Sequence, residues 1–347
     1  MPRGAGAAAA RDTDAGAPVP GEGARSKPRF IVSLDFELMW GVRETRTVQT
    51  YGANILGGRD AIPQLLDLFG AHGVKATWAT VGMVLFASRA ELLDALPEIR
   101  PTYANPALDP YPSLRSIGAD ERADPFHFGS SLAQMIAARE GMELATHTFS
   151  HYFALEPGQT GEQFAADLAA SVRAHERYGE KPRSIVFPRN QVNPAYLGIC
   201  AEAGLRAFRG TEGGWPYRAA ASAETTRSRR AARLLDAYVG LSGSNASSPT
   251  ERGGMVDVPS SRFLRPYSPG LRRLDRLRVR RITSAMETAA RAGRTYHLWW
   301  HPHNFGSCTA QNLEILRIVL RTYQTLSDRY GMESQTMAEA AAEAGRP

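Results

Sequence analysis

Only two cysteines, Cys200 and Cys308, occur in 347 residues. That excludes a disulfide framework and a cysteine-rich zinc module. No run of about 18 apolar residues occurs, so no membrane-spanning helix is expected. Charge of one sign is also scarce. Lys and Arg number 41 against 35 Asp and Glu, a net +6, which is mild for this length. It suits a protein with one basic face better than a dedicated nucleic-acid binder. No fixed-period repeat is visible. Apolar residues are 43% and charged residues 22%, which excludes a mainly disordered or fibrous chain. Residues 1–28 hold no aromatic and no apolar stretch of the roughly 7–15 residues that a secretory signal needs. They read as a disordered tail, and the default compartment is then the cytoplasm.

From Arg29 onward short apolar runs alternate with amphipathic ones. Residues 30–35, 74–81, 142–145, 184–187, 205–208 and 296–300 read as strands. Residues 58–72, 130–139, 162–178, 194–203 and 312–330 read as helices. Residues 97–128, rich in Pro, Tyr and Asp, read as an irregular excursion. The alternation argues for a parallel sheet with helices outside it, open or closed into a barrel. Asp35, His147, Arg189 and His301 each follow a predicted strand directly. In parallel α/β folds sites are built at those carboxyl ends, so the four are expected to meet on one rim.

The strongest chemical signal is His147-Thr-Phe-Ser-His151. If the segment turns helically, imidazoles at i and i+4 face one side and can share a metal ion. Asp35 and Glu37 stand at i and i+2 of a strand end and therefore point to one side. One carboxylate with two histidines leaves positions open for water and substrate, as a hydrolytic metal requires. Residues 296–304 hold three histidines and the pair Trp299 and Trp300. The tryptophans offer an apolar or sugar-stacking wall, and His301 or His303 a general acid. Arg189 is placed to clamp a carboxylate such as Asp35.

The ordered set resembles the NodB-homology polysaccharide deacetylases, carbohydrate esterase family 4, over residues 29–340. The resemblance implies a distorted parallel (β/α) barrel of about seven strands. It implies a divalent metal, most simply Zn²⁺, and removal of N- or O-linked acetyl groups from a sugar. It makes Asp35 the catalytic base, Glu37, His147 and His151 the metal ligands, His301 the acid, and Arg189 the catalytic arginine. Trp215, Trp299, Trp300, His303 and Asn304 are then expected to contact substrate. The sequence departs from the family pattern at three places. One residue separates the first two acids, and the second is Glu, which leaves open which of them meets the metal. Asn190 and Gln191 replace the residues that normally follow the arginine. Gly214-Trp215-Pro216 lacks the Asp that normally tunes the acid histidine.

Residues 212–292 read as a basic insertion. Within them, 262–281 carry eight arginines against Asp275, with Leu271, Leu274 and Leu277 at near-helical spacing. This predicts an Arg-rich helix that either covers the barrel or meets an anionic membrane or a pyrophosphate-linked sugar. Without a recognised module, nucleic acid is not an expected partner. The reading is a deacetylase of a cytoplasmic surface-polysaccharide precursor, lipid- or nucleotide-linked, at the inner face of the membrane. Two others stay open: a cyclic amide or imide hydrolase of the same superfamily, and an inactive barrel that binds carbohydrate or membrane.

Overall fold

Along β1 (Arg29–Phe36) the residues alternate in kind. Val32, Leu34 and Phe36 enter the large outer core, whereas Ile31 joins a separate cluster of small apolar residues. Ser33 and Asp35 share the side of Ile31, since alternate residues of a strand face alike. That division defines two layers in the computed structural model, which describes residues 27–345 apart from 180 and 225. The tail read over 1–28 lies almost wholly outside the described residues.

The strands in chain order are β1, β2 (Ala76–Thr80), β3 (Met142–Thr146), β4 (Ser184–Ile185), β5 (Ala207–Phe208), β6 (Thr250–Arg252), β7 (Met255–Asp257), β8 (Arg262–Phe263), β9 (Thr295–Trp300) and β10 (Glu333–Gln335). The helices are α1 (Val48–Ala71), α2 (Arg89–Asp94), α3 (Ser130–Ala137), α4 (Gly161–Glu176), α5 (Leu197–Glu202), α6 (Arg227–Val239), α7 (Asp275–Arg291), α8 (Thr309–Tyr330) and α9 (Met337–Ala344). The sheet order is β6-β7-β5-β4-β3-β2-β1-β9-β8, with β10 beside β1, and all pairs except β6–β7 are parallel. β7 and β8 are parts of one extended run. Its start hydrogen-bonds to β5, Val258 N to Phe208 O at 2.9 Å, and its end to β9, Leu264 N to Trp299 O at 2.7 Å. The run therefore joins the two ends of the parallel sheet into a ring. Residues 212–292 thus supply a wall of the barrel as well as helices outside it.

The ring interior is graded. At one end Ile31, Ala79, Val186, Ala207, Val256 and Val258 close on Met337, Ala340 and Ala341 of α9, which plugs that end. At the other end stand the polar side chains of Ser33, Asp35, His297 and Arg209. Outside, β9 contributes Tyr296, Leu298 and Trp300 to the same core as α1, α7 and α8. Trp300 lies between Phe69 and Phe305, with ring centroids 6.2 and 5.6 Å away.

α1 begins ten residues before the helix expected from periodicity. Gly52, Gly57 and Gly58 hide its first turns as a breaker pattern, but the glycines are there for close approach. A Cβ on Gly58 would lie 2.6 Å from His303 Cα, and one on Gly57 would lie 2.2 Å from Gly306 O. The helix backbone thus packs directly on the turn that carries His303 and Asn304.

Candidate active site

Glu37, His147 and His151 converge, all three buried. Glu37 Oε2 lies 3.4 Å from His147 Nε2 and 3.2 Å from His151 Nε2. His147 Nδ1 donates to Val186 O at 2.7 Å, which leaves Nε2 as its free lone pair. That Nε2 is buried without a hydrogen-bond partner. A buried imidazole nitrogen rarely stays orphaned, so the donor set fits a metal ion. Burial works against the ionised Glu37, but His301, His147 and His151 hold its carboxyl well below the ordinary glutamate value.

The two histidines do not meet through a helical turn. Residues 147–151 form a loop in which Thr148 (φ 63°) and His151 (φ 58°) adopt left-handed backbone. Buried Asp167 of α4 pins it, accepting from Phe149 N at 2.7 Å and Ser150 N at 3.1 Å. Leu38, Arg189 and Asn190 also have positive φ. Such strain collects at sites where surrounding structure over-determines the chain.

Asp35 stands beside this set, and Arg209 holds it. Arg209 Nη1 and Nη2 donate to Asp35 Oδ1 and Oδ2 at 2.6 and 2.7 Å, a bidentate pair. Nη1 also reaches Ser33 Oγ at 3.0 Å, and Nη2 reaches Asn190 Oδ1 at 3.0 Å. The guanidinium lies 4.2 Å from the Trp299 ring centroid. Burial alone raises the Asp35 carboxyl, yet Arg209, His147 and His301 bring it below its ordinary value.

Arg209 is the residue that sequence reasoning missed. Arg189, assigned the clamp, does not touch Asp35. Its left-handed backbone (φ 55°) turns it into the cleft wall. There it pairs with Glu44 at 3.4 Å and Glu156 at 3.9 Å, donates to Ser222, and lies over Phe153. The strand-end signal was present in Phe208-Arg209, since β5 ends at Phe208.

β9 sends alternate residues inward. His297 Nε2 meets Ser33 Oγ at 2.8 Å beneath the site. Trp299 lines the cleft and donates Nε1 to Glu212 Oε1 at 3.0 Å. Trp300, expected to contact substrate, points the other way and is fully buried. His301 lines the cleft, its Nε2 3.7 Å from Asp35 Oδ2 and 3.6 Å from Glu37 Oε1. Asn304 Oδ1 is 3.1 Å from His301 Nδ1 and so orients that ring instead of lining the cleft. His303 is buried behind His301, rings stacked at 5.0 Å, and lies outside the cleft lining. Trp215 is 54% exposed and also lies outside that lining.

The cleft above these groups has a volume of about 570 Å³. Residues 48–208 match the family model described as polysaccharide deacetylase. Over those residues the chain is similar to the polysaccharide deacetylase family. No curated protein sequence matches it. Among solved structures, a protein from Mycobacterium smegmatis bearing the polysaccharide deacetylase name superposes with TM-score 0.57 at 15% identity, covering 94% of each chain. A Pseudomonas aeruginosa PAO1 protein of the same name gives 0.54 at 11%, covering 91% of this chain and 90% of its own. PuuE allantoinase gives 0.55 at 11%, covering 94% and 93%. These likenesses bear out the expected fold, a (β/α) barrel.

Proposed function

We propose that the chain is a metal-dependent hydrolase that removes an acetyl group from a sugar. The observation that carries this is the orphaned, buried Nε2 of His147 facing Glu37 and His151 at the floor of a cleft. Glu37, His147 and His151 would hold a divalent ion, Zn²⁺ by the chemistry of the donors. When bound, such an ion lowers the pKa of a water and polarises an acetyl carbonyl.

Asp35 accepts the proton of the attacking water. Arg209 fixes both of its oxygens and keeps the carboxylate ionised, while each oxygen retains a lone pair for that water. His301 delivers a proton from Nε2 to the leaving nitrogen or oxygen, with Asn304 on the opposite nitrogen holding the ring in place. Trp299, pinned by Glu212 and Arg209, forms the wall against which a sugar face packs. Acetate release from a panel of N- and O-acetylated sugars tests this reading. Asp35→Asn should keep the metal and lose about 10²–10⁴-fold in turnover, the range for a general base. A near-normal rate would remove Asp35 from the mechanism.

A peripheral contact with an anionic membrane belongs to this reading, on different terms from those read in the sequence. Arg262 lies in β8, and Arg262, Arg278 and Arg281 pair inward with Asp236 or Asp275. Arg272, Arg273, Arg276 and Arg280 remain exposed beside exposed Leu274 and Leu277. α6 adds exposed Leu234, Leu235 and Val239. Flotation with anionic vesicles at low salt should recover the protein, and neutral vesicles or high salt should not. No helix among the described residues is long and apolar enough to cross a membrane.

A further inference from the structure

The rim of the cleft carries positive charge that the chemistry at its floor does not use. Arg218, Arg230, Arg233 and Arg265 all line the cavity above Asp35 and Glu37. Three different elements bring them there. Arg230 and Arg233 stand three apart on α6 with Ala237, one face of the helix. Arg265 follows β8, and Arg218 follows the short turn of residues 215–217. Among the described residues none of the four forms an ion pair, and only Arg233 makes a side-chain hydrogen bond, from Nε to Pro216 O at 2.7 Å.

The neighbouring carboxylates are already engaged. Asp35 is held by Arg209, Glu212 accepts from Trp299, and Asp236 is shared by Arg262 and Arg281. Gathering like charges in one cavity is unfavourable unless an anion joins them. At Arg233 burial first, and then Arg229 from outside the cavity, hold the guanidinium below its ordinary value, while Glu212 of the lining acts against them.

We propose that this rim binds a phosphate group of the substrate, so that the sugar presented to Asp35 and His301 is a phosphate-linked one. A single carboxylate satisfies one guanidinium fork. A phosphate or pyrophosphate offers enough oxygens for several, and arginine matches that geometry. The inference rests on the deacetylase reading for the sugar, but not for the phosphate. A nucleoside-diphosphate sugar and a lipid-phosphate sugar share this chemistry.

The test has two arms, with the full-length protein and the double variant Arg230→Gln/Arg265→Gln, folding checked by thermal melt. Arg218→Gln serves as a second, exposed-site variant. In the first arm inorganic pyrophosphate is titrated calorimetrically at low salt. Saturable binding that weakens about tenfold or more in the double variant, the usual loss when charge-assisted contacts go, supports the site. No binding, or the same Kd in both variants and wild type, overturns it. In the second arm acetate release is compared for a nucleoside-diphosphate N-acetyl sugar, a polyprenyl-phosphate N-acetyl sugar and a neutral chitooligosaccharide. A kcat/KM preference for either phosphorylated substrate that falls in the double variant supports the proposal and identifies the source. Equal kcat/KM for neutral and phosphorylated substrates overturns it. If no substrate releases acetate while arginine-dependent pyrophosphate binding persists, the deacetylase reading fails and the phosphate site stands.

Discussion

Replacing Arg209 with Ala separates Asp35, the proposed base, from its clamp without touching His147 or His151. The side chain is fully buried and makes two short bonds to Asp35, one to Ser33 and two to Asn190. Its loss leaves a buried carboxylate without its cation, which costs about 3–5 kcal/mol when one partner of such a pair is removed. A domain with only 5–15 kcal/mol in hand should show this as a large fall in denaturation midpoint. The kinetic effect has a direction fixed by electrostatics. Burial, which opposes ionisation of Asp35, would no longer be countered by Arg209, so its carboxyl should titrate higher. The acid limb of kcat/KM against pH should therefore move to higher pH. Turnover at neutral pH should fall by about 10² or more, part of what a general base supplies. Arg209→Lys should recover some stability but less of the rate, because an ammonium cannot bond both oxygens in the same fork. Urea unfolding and a pH–rate profile on a soluble acetylated sugar measure both. An acid limb that stays in place in Arg209→Ala would refute the argument, whatever happened to stability. Arg189→Ala, by contrast, should leave that limb unmoved.

Other sites give expectations of different kinds. Gly58→Ala places a Cβ 2.6 Å from His303 Cα, so the turn of 302–305 must shift; overpacking of this sort costs about 1–3 kcal/mol, and a fall in turnover with retained metal should accompany it. Asp236→Ala removes the acid shared by Arg262 and Arg281 and should cost about 3 kcal/mol or more in urea unfolding; a change below 1 kcal/mol would mean the buried network is not structural. His175 is fully buried, and burial lowers it to about 4, so the folded chain keeps it neutral while the unfolded chain protonates it near 6.5. Its contribution is present above pH 6.5 and fades as pH falls toward 4, by up to about 3 kcal/mol. His175→Gln should flatten stability against pH in that window, and an unchanged slope would count against the assignment.

The parts legible in the sequence are those set by short-range geometry. Strand alternation puts Asp35 and Glu37 on one side, and the apolar runs ending in His147 and His301 placed both on the rim. The same alternation, applied to β9, separates Trp299 from Trp300, since His297, Trp299 and His301 share a face. Reading the two tryptophans as one wall overlooked it. Arg189 and Arg209 could not be told apart by strand ends alone, because both follow one. What decides between them is a backbone turn at Arg189 and the strand order around the ring, and neither is a local property. Thr148 and His151 are left-handed without being glycine, so the loop that joins His147 to His151 gave no turn signal. The closing strand was hidden for another reason. β7 and β8 hold three and two residues, too short for periodicity to register, and the arginines around them read as solvated helix.

The central claim is that Glu37, His147 and His151 together hold the ion on which acetate release depends. Metal content and acetate release measured side by side, on wild type, chelator-treated protein and Glu37→Gln, test it most directly. The expected result is about one divalent ion per chain in wild type, with activity lost on chelation and regained on adding the ion back. Glu37→Gln should lose both ion and activity while keeping its fold. Full acetate release from metal-free protein, or a Glu37→Gln chain that keeps its ion and its rate, would contradict it.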